Sequence, residues 1–203
     1  MAETIEVNRA AVLGGLPHGF LGRRGGVSTG VVAGLNVGLG TGDEPAAVAE
    51  NRHRAVEAVQ PGARLATVYQ VHSPDCVIVH EPWPDAERPH ADALVTDRPG
   101  LLLGVVTADC APVLLADPVA RVVGAAHAGW KGAVSGVTDA TIAAMEALGA
   151  ERARIVAAIG PCIAQPSYEV DAGFRERFVA ENAASARYFA GRRQGHYQFD
   201  LEA

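Results

Sequence analysis

Between residues 101 and 126 three apolar runs follow one another closely, 101–108, 112–116 and 121–126, parted only by an Asp109-Cys110 break and an Asp117-Pro118-Val119-Ala120 break. Runs this short, bounded by turn residues and apolar throughout, are strands buried from both sides. Such strands need cover above and below, so the chain must fold in layers around a sheet. A further run spans 155–159. Before it, Val134, Val137, Thr138, Thr141, Ile142, Met145 and Leu148 recur at helical spacing, ended by Gly149 as a left-handed stop. Strand, helix and strand in this order imply a crossover between parallel strands, whereas the tight spacing of the earlier runs implies antiparallel pairs. The sheet is therefore expected to be mixed.

Upstream, Asp43 is placed to cap a helix over 44–59, with Pro45 in its first turn and Val48, Ala55, Val56 and Val59 along one face; Pro61-Gly62 stops it. Residues 64–71 and 76–80 read as two strands joined at a Ser73-Pro74-Asp75 turn. From Gly14 to Gly42 glycine recurs at a density that regular helices do not tolerate, which makes this a region of loops and short strands. No repeat or low-complexity linker divides the chain, so residues 1–203 are read as a single domain. The expected fold class is α+β, a layered fold of mixed β-sheets flanked by helices. With 203 residues, 49% hydrophobic, the chain buries a full core, and its 5% aromatic content points to packing by small side chains.

The formal charge of −6 offers no clustered Lys/Arg face for phosphate backbones, which argues against a nucleic-acid partner. Arg152 with Arg154, and Arg192 with Arg193, read as short solvated basic spots. The opening MAETIEVNRA lacks a signal peptide's basic start and apolar centre, and no apolar run reaches membrane-spanning length; a cytoplasmic protein with no membrane partner is expected. Cys76, Cys110 and Cys162, odd in number and widely spaced, fit free thiols or a metal ligand better than a disulfide framework.

Three apolar segments each end on a reactive side chain: Val71-His72-Ser73, Asp109-Cys110-Ala111 and Ala126-His127-Ala128. One strand and its turn separate Cys110 from His127, so the chain goes out and returns, bringing both to one sheet edge, while His72 arrives from elsewhere. Two imidazoles and a thiolate form a sensible set of three zinc ligands, with a fourth position left for water or substrate. Zinc in such a site lowers the pKa of bound water toward roughly 7. The same trio without metal is a Cys nucleophile with a His base. Until other evidence is added, ordinary burial of single His and Cys residues on apolar runs is the favoured account of the pattern.

Eight strings supply that evidence: Arg23-Arg24-Gly25-Gly26-Val27-Ser28, Gly34-Leu35-Asn36-Val37-Gly38, Asn51-Arg52, Gln70-Val71-His72-Ser73, Ala91-Asp92-Ala93-Leu94-Val95-Thr96, Thr107-Ala108-Asp109-Cys110-Ala111-Pro112, His127-Ala128-Gly129-Trp130-Lys131-Gly132 and Gly160-Pro161-Cys162-Ile163. In this order they closely resemble the laccase-domain, or multicopper polyphenol oxidase-like, family of the YfiH type. The resemblance covers nearly the whole chain. It implies a YfiH-like fold, purine nucleoside phosphorylase activity with adenosine deaminase and methylthioadenosine phosphorylase activities in the same site, and zinc, with copper as the lesser choice, held by His72, Cys110 and His127. The implied partners are a purine nucleoside and phosphate. Two other activities belong to the same resemblance: an amide-cleaving Cys/His centre, without metal, acting on peptidoglycan precursors, and polyphenol oxidation. Multicopper oxidation requires many His ligands feeding a copper cluster, whereas the seven His here are spread singly. A non-catalytic nucleoside-binding module is the alternative from outside enzymology. Family members usually continue beyond the segment matching Phe199-Asp200-Leu201, so the domain is read as lacking the family's C-terminal segment.

Other residues carry paired readings. Arg23 and Ser28 flank a Gly pair where amides and a guanidinium would hold phosphate, or they form a turn with a surface Arg. Asn36 bonds a ribose hydroxyl or braces its own loop. Lys131 meets an anion or water. Asp109 orients a ligand His or satisfies turn amides, and Cys162 lines the pocket or packs in the core. Cys76 reads as packing, and His18, His53, His80, His90 and His196 mostly as solvated.

Overall fold

A computed structural model describes residues 4–203; the first three residues, part of the N-terminal stretch read above as leaderless, lie outside the described residues. A short ribbon of β1 (Val7–Asn8) and β2 (Phe20–Leu21) opens the chain, followed after the glycine-rich region by α1 (Pro45–Val59). Then come β3 (Arg64–Thr67), β4 (Cys76–Ile78), β5 (Ala93–Thr96), β6 (Leu101–Gly104), β7 (Ala111–Asp117) and β8 (Val122–Ala128). Helices α2 (Trp130–Val134) and α3 (Val137–Ala147) precede β9 (Val156–Ile159), and the chain closes with β10 (Glu169–Asp171), α4 (Ala172–Glu181), β11 (Phe189–Gly191) and β12 (His196–Phe199).

The main sheet has the order β4-β5-β8-β7-β9. It is mixed, as the apolar runs imply: β4 pairs parallel with β5, and β5 with β8, β8 with β7 and β7 with β9 all pair antiparallel. Strands β8 and β9 thus run the same way with β7 between them, and α3 makes the crossover. The expected continuous helix over 134–148 is two helices, because Gly136 sits at φ 88° and breaks the path before α3. Val137 and Met145 of α3 are fully buried and pack on Ala93, Val95, Val113 and Leu115, so one face of the sheet is closed by this helix. The opposite face of β5 carries Leu94 into a second cluster with Ala66, Val79 and Leu101.

Two expectations are corrected. Strands β3 and β4 do not pair at the Ser73-Pro74-Asp75 turn; β3 pairs parallel with β6 in its own two-stranded sheet, and β4 with β5. β5 itself, central and buried at every position, arises from Ala93-Leu94-Val95-Thr96, too short to announce itself by periodicity. The helix near 44–59 forms, but its N-cap is Glu44, and the Asp43 carboxylate is spent mainly on Ser28 and Asn36.

The scarce aromatics are segregated rather than spread. All but Phe20, Tyr69 and Trp83 gather in one cluster where α4 and the β10-β12-β11 sheet meet Trp130. Arg154, read as solvated, is ion-paired at 3.0 Å with Asp117, whose side chain is 0% exposed. His18 is a satisfied interior histidine: Nε2 accepts from Ala10 N–H and Nδ1 bonds the Leu16 carbonyl. The three cysteines are free thiols, and burial pushes Cys76 up to about 11. Among the described residues no helix is long and apolar enough to cross a membrane.

Candidate metal centre

The β7–β8 register pairs Pro112 with His127 and Ala111 with Ala128. Cys110, just before β7, and His127, one residue from the end of β8, therefore emerge at the same end of the sheet. His72 joins them from the β3–β4 connection. One potential ligand atom from each of His72, Cys110 and His127 lies within 4.8 Å of the other two. Cys110 Sγ is 3.8 Å from His72 Nε2, and the two imidazoles meet nearly edge to face with centroids 4.8 Å apart. His127 is 3% exposed, Cys110 half-buried and His72 exposed, so the trio is anchored at its base and open on one side.

Backbone and neighbouring side chains hold this arrangement. His72 adopts φ 61°, a left-handed conformation that costs about 1–3 kcal/mol for a residue other than glycine. Its flanking amides are fixed by one buried carboxylate: Asp92 Oδ2 accepts from Val71 N–H at 3.0 Å and Ser73 N–H at 2.7 Å. Asp92 Oδ1 lies 2.8 Å from His127 Nδ1. The Gln70 carboxamide makes two 2.8 Å bonds with the backbone of Val106, tying the His72 segment to the one leading into Cys110. At Gly129 a Cβ would lie 2.8 Å from His72 Cδ2 and 2.9 Å from Cys110 Sγ, so only glycine fits between the two.

The charges follow from these contacts. Burial pushes the Asp92 carboxyl up, but hydrogen bonds from His127 and the backbone of Ser73, Val71 and His72 together outweigh it and hold the group below the usual carboxylate range. Burial lowers His127, against the pull of Asp92, and keeps it a neutral imidazole. Burial, then Asp109, Asp92 and Cys162, raises the Cys110 thiol. Two imidazoles and a thiol that a cation would ionise form a coherent donor set. Tetrahedral zinc would separate its sulfur and nitrogen ligands by about 3.6 Å, close to the 3.8 Å between Cys110 and His72. The residues present fit a metal ion, with room for a fourth ligand on the exposed side.

The other sequence candidates fall in different places. Ser28 is buried; its hydroxyl donates to Asp43 and accepts from Asn51. Asn36 donates to Thr41 and Asp43 and accepts from Gly38 N–H. Both brace the glycine-rich loop, at whose centre Gly34 has φ 109° and leaves no room for a Cβ beside the Arg23 carbonyl. Arg23 is exposed. Lys131 is exposed, with its ammonium 5.6 Å from the Trp130 ring centroid. Asp109 is exposed beside Cys110, and its carbonyl accepts from Ile163 N–H; Cys162 is half-buried against the main core. The carboxylate that bonds a trio imidazole is Asp92, to which the sequence reading gave no role. An acid set between Ala91 and the apolar Ala93-Leu94-Val95 run was the available signal, since a charge there must have buried partners.

The family model for multi-copper polyphenol oxidoreductase laccase matches residues 17–203. The chain belongs to this family. Among laccase-family relatives, it is 50% identical over 169 residues to "Purine nucleoside phosphorylase ORF3" of Streptomyces griseus, covering 82% of this chain and 68% of that one. It is 45% identical over 181 residues to "Purine nucleoside phosphorylase SCO2081" of Streptomyces coelicolor, covering 88% and 74%. The crystal structure of YlmD from Geobacillus stearothermophilus matches with a TM-score of 0.83 at 31% identity, covering 95% of this chain and 75% of that one. A mixed fold of several sheets and a few helices is thus shared with this solved structure, and an enzyme of nucleoside metabolism is the function the relatives' names support.

Proposed function

We propose that this protein is a zinc-dependent purine nucleoside phosphorylase acting on adenosine, inosine and methylthioadenosine, with adenosine deamination as a side activity. The observation that carries the reading is the convergence of His72, Cys110 and His127 within 4.8 Å in a chain whose relatives bear the phosphorylase name. In phosphorolysis a phosphate oxygen forms a bond to ribose C1′ as the C1′–N9 bond breaks, and the departing purine takes a proton. In deamination, water replaces the 6-amino group and ammonia leaves. A zinc ion held by the trio would supply Lewis acidity and an acidified water ligand.

This chain's own residues hold the site together. His127 stays neutral and fixed by Asp92, Gly129 lets His72 and Cys110 approach, and the open side of the trio admits substrate. Of the candidate substrate contacts, Lys131, four residues beyond His127, and Arg23 have solvent-facing side chains for an anion, whereas Ser28 and Asn36 are occupied in their loop. One ligating group among the described residues supports a single ion rather than a copper cluster.

A second reading has its own observation. The Cys110–His72 contact of 3.8 Å is within reach of a metal-free Cys/His hydrolase or amidase. The deciding experiment measures zinc content and phosphate-dependent release of hypoxanthine from inosine in wild type and Cys110→Ala. Near-stoichiometric zinc that falls with base release in the variant supports the phosphorylase. Metal-free wild type without nucleoside cleavage overturns it in favour of the hydrolase.

A further inference from the structure

We infer that Asp92 is the positioning residue of the trio: a single buried carboxylate sets which nitrogen His127 offers to the site and fixes the turn that presents His72. The inference rests on the metal-binding part of the function proposed above. Asp92 is 0% exposed, and each of its oxygens has a separate task. Oδ1 lies 2.8 Å from His127 Nδ1. An ionised carboxylate only accepts, so Nδ1 carries the hydrogen and Nε2 keeps its lone pair for the site. Oδ2 accepts from the amides on either side of His72. Those two bonds bracket the one residue of the turn that holds φ 61°. The β5–β8 register places Ala93 opposite Ala126, and His127 N–H bonds the Asp92 carbonyl at 2.7 Å. Main chain and side chain of Asp92 thus both grip His127.

The arrangement differs from a merely buried acid because its two halves cannot be served by an amide. In Asp92→Asn, an oxygen left facing Val71 and Ser73 turns the NH2 toward His127, which must then accept at Nδ1 and carry its hydrogen on Nε2. An oxygen turned to His127 instead sets the NH2 against two N–H groups and releases the turn. Either way the trio loses a ligand's orientation, although the substitution is nearly isosteric.

The test uses 15N NMR of imidazole-labelled, metal-free protein at pH 8 together with zinc competition against a chelator. Wild type is expected to show the His127 hydrogen on Nδ1, and Asp92→Asn to bind zinc roughly 10- to 100-fold more weakly. A wild-type His127 with its hydrogen on Nε2 overturns the inference, and this reading needs no variant to fold. Unchanged zinc affinity in a folded Asp92→Asn protein overturns it as well. Wild type that binds no zinc while His127 keeps its hydrogen on Nδ1 supports the role of Asp92 and overturns the metal reading instead.

Discussion

The side chain of Gln70 pairs with the main chain of Val106 as one strand pairs with another, its NH2 donating to the Val106 carbonyl and its oxygen accepting from the Val106 N–H, both at 2.8 Å. Gln70 lies two residues before His72 and Val106 four before Cys110, so this one amide couples two segments that the β-sheets leave unconnected at that point. Gln70→Leu keeps the volume and leaves both Val106 groups without that partner. A loss of about 1–3 kcal/mol is expected, read as a lower urea midpoint, with zinc affinity weakened several-fold. Gln70→Glu keeps only the acceptor and should fall between the two. Equal zinc affinity in all three proteins would mean that the coupling does not reach the site.

Gly129→Ala tests how closely the trio is packed. The added methyl would lie 2.8 Å from His72 Cδ2 and 2.9 Å from Cys110 Sγ. Gly129 itself has an ordinary φ of −72°, so the substitution introduces no backbone strain and its effect is steric alone. The expected outcome is a folded protein with a far-ultraviolet spectrum like wild type, zinc content reduced to a minor fraction, and base release reduced in proportion. Full zinc occupancy in the variant would show that His72 can swing away and still ligate.

These two relationships mark where the sequence could be read and where it could not. The apolar runs, the crossover through α3 and the meeting of Cys110 with His127 were legible because period and strand length are local properties. Which strands pair was not: β3 and β4 look like a hairpin until the tertiary core assigns each a parallel partner of its own. Gln70 and Asp92 stood in plain strings, but their roles depend on what lies 36 and 35 residues away in the chain, at Val106 and His127. Ser28 and Asn36 drew a ligand-binding reading because polar side chains in glycine-rich loops serve both purposes, and only the bonds to Asp43 show the structural one. Low aromatic content announced the small-side-chain packing of the main core, but composition carries no information on where the few aromatics gather.

Asp117 makes the stability of the fold depend on acid. Its hydrogen bonds with Arg154 come first, and the backbone amides of Glu151, Ala120 and Val119 add to them; against the cost of burial they hold its carboxyl far below the usual value of 3.8. A carboxyl depressed in the folded state stabilises it fully above the unfolded pKa, and that contribution is lost as pH falls toward the folded pKa. Wild type is therefore more stable than Asp117→Asn at pH 6, and the gap between their urea midpoints closes progressively below about pH 4. A gap that stays constant from pH 6 to pH 3 would locate the acid sensitivity in other carboxylates.

The aromatic cluster makes the last prediction, because it joins the C-terminal sheet to the site. Phe174 is 8% exposed and meets Trp130 edge to face with centroids 4.8 Å apart, while also touching Phe178, Phe189 and Phe199. Trp130 opens α2 directly after Gly129, so whatever holds the indole also holds the residue wedged between His72 and Cys110. Truncating a buried phenylalanine typically costs about 3–5 kcal/mol, and for a chain of this size each of those is worth roughly 2–4 °C in Tm. Phe174→Ala should therefore melt roughly 6–20 °C lower. The form of the transition is the more informative result. If Trp130 couples the cluster to the main sheet, calorimetry shows one transition that moves as a whole, and zinc affinity falls with it. If the residues from β10 onward unfold on their own, an early small transition separates from a main one that stays in place, and zinc binding is untouched at temperatures between the two. The position of Trp130 argues for the first outcome.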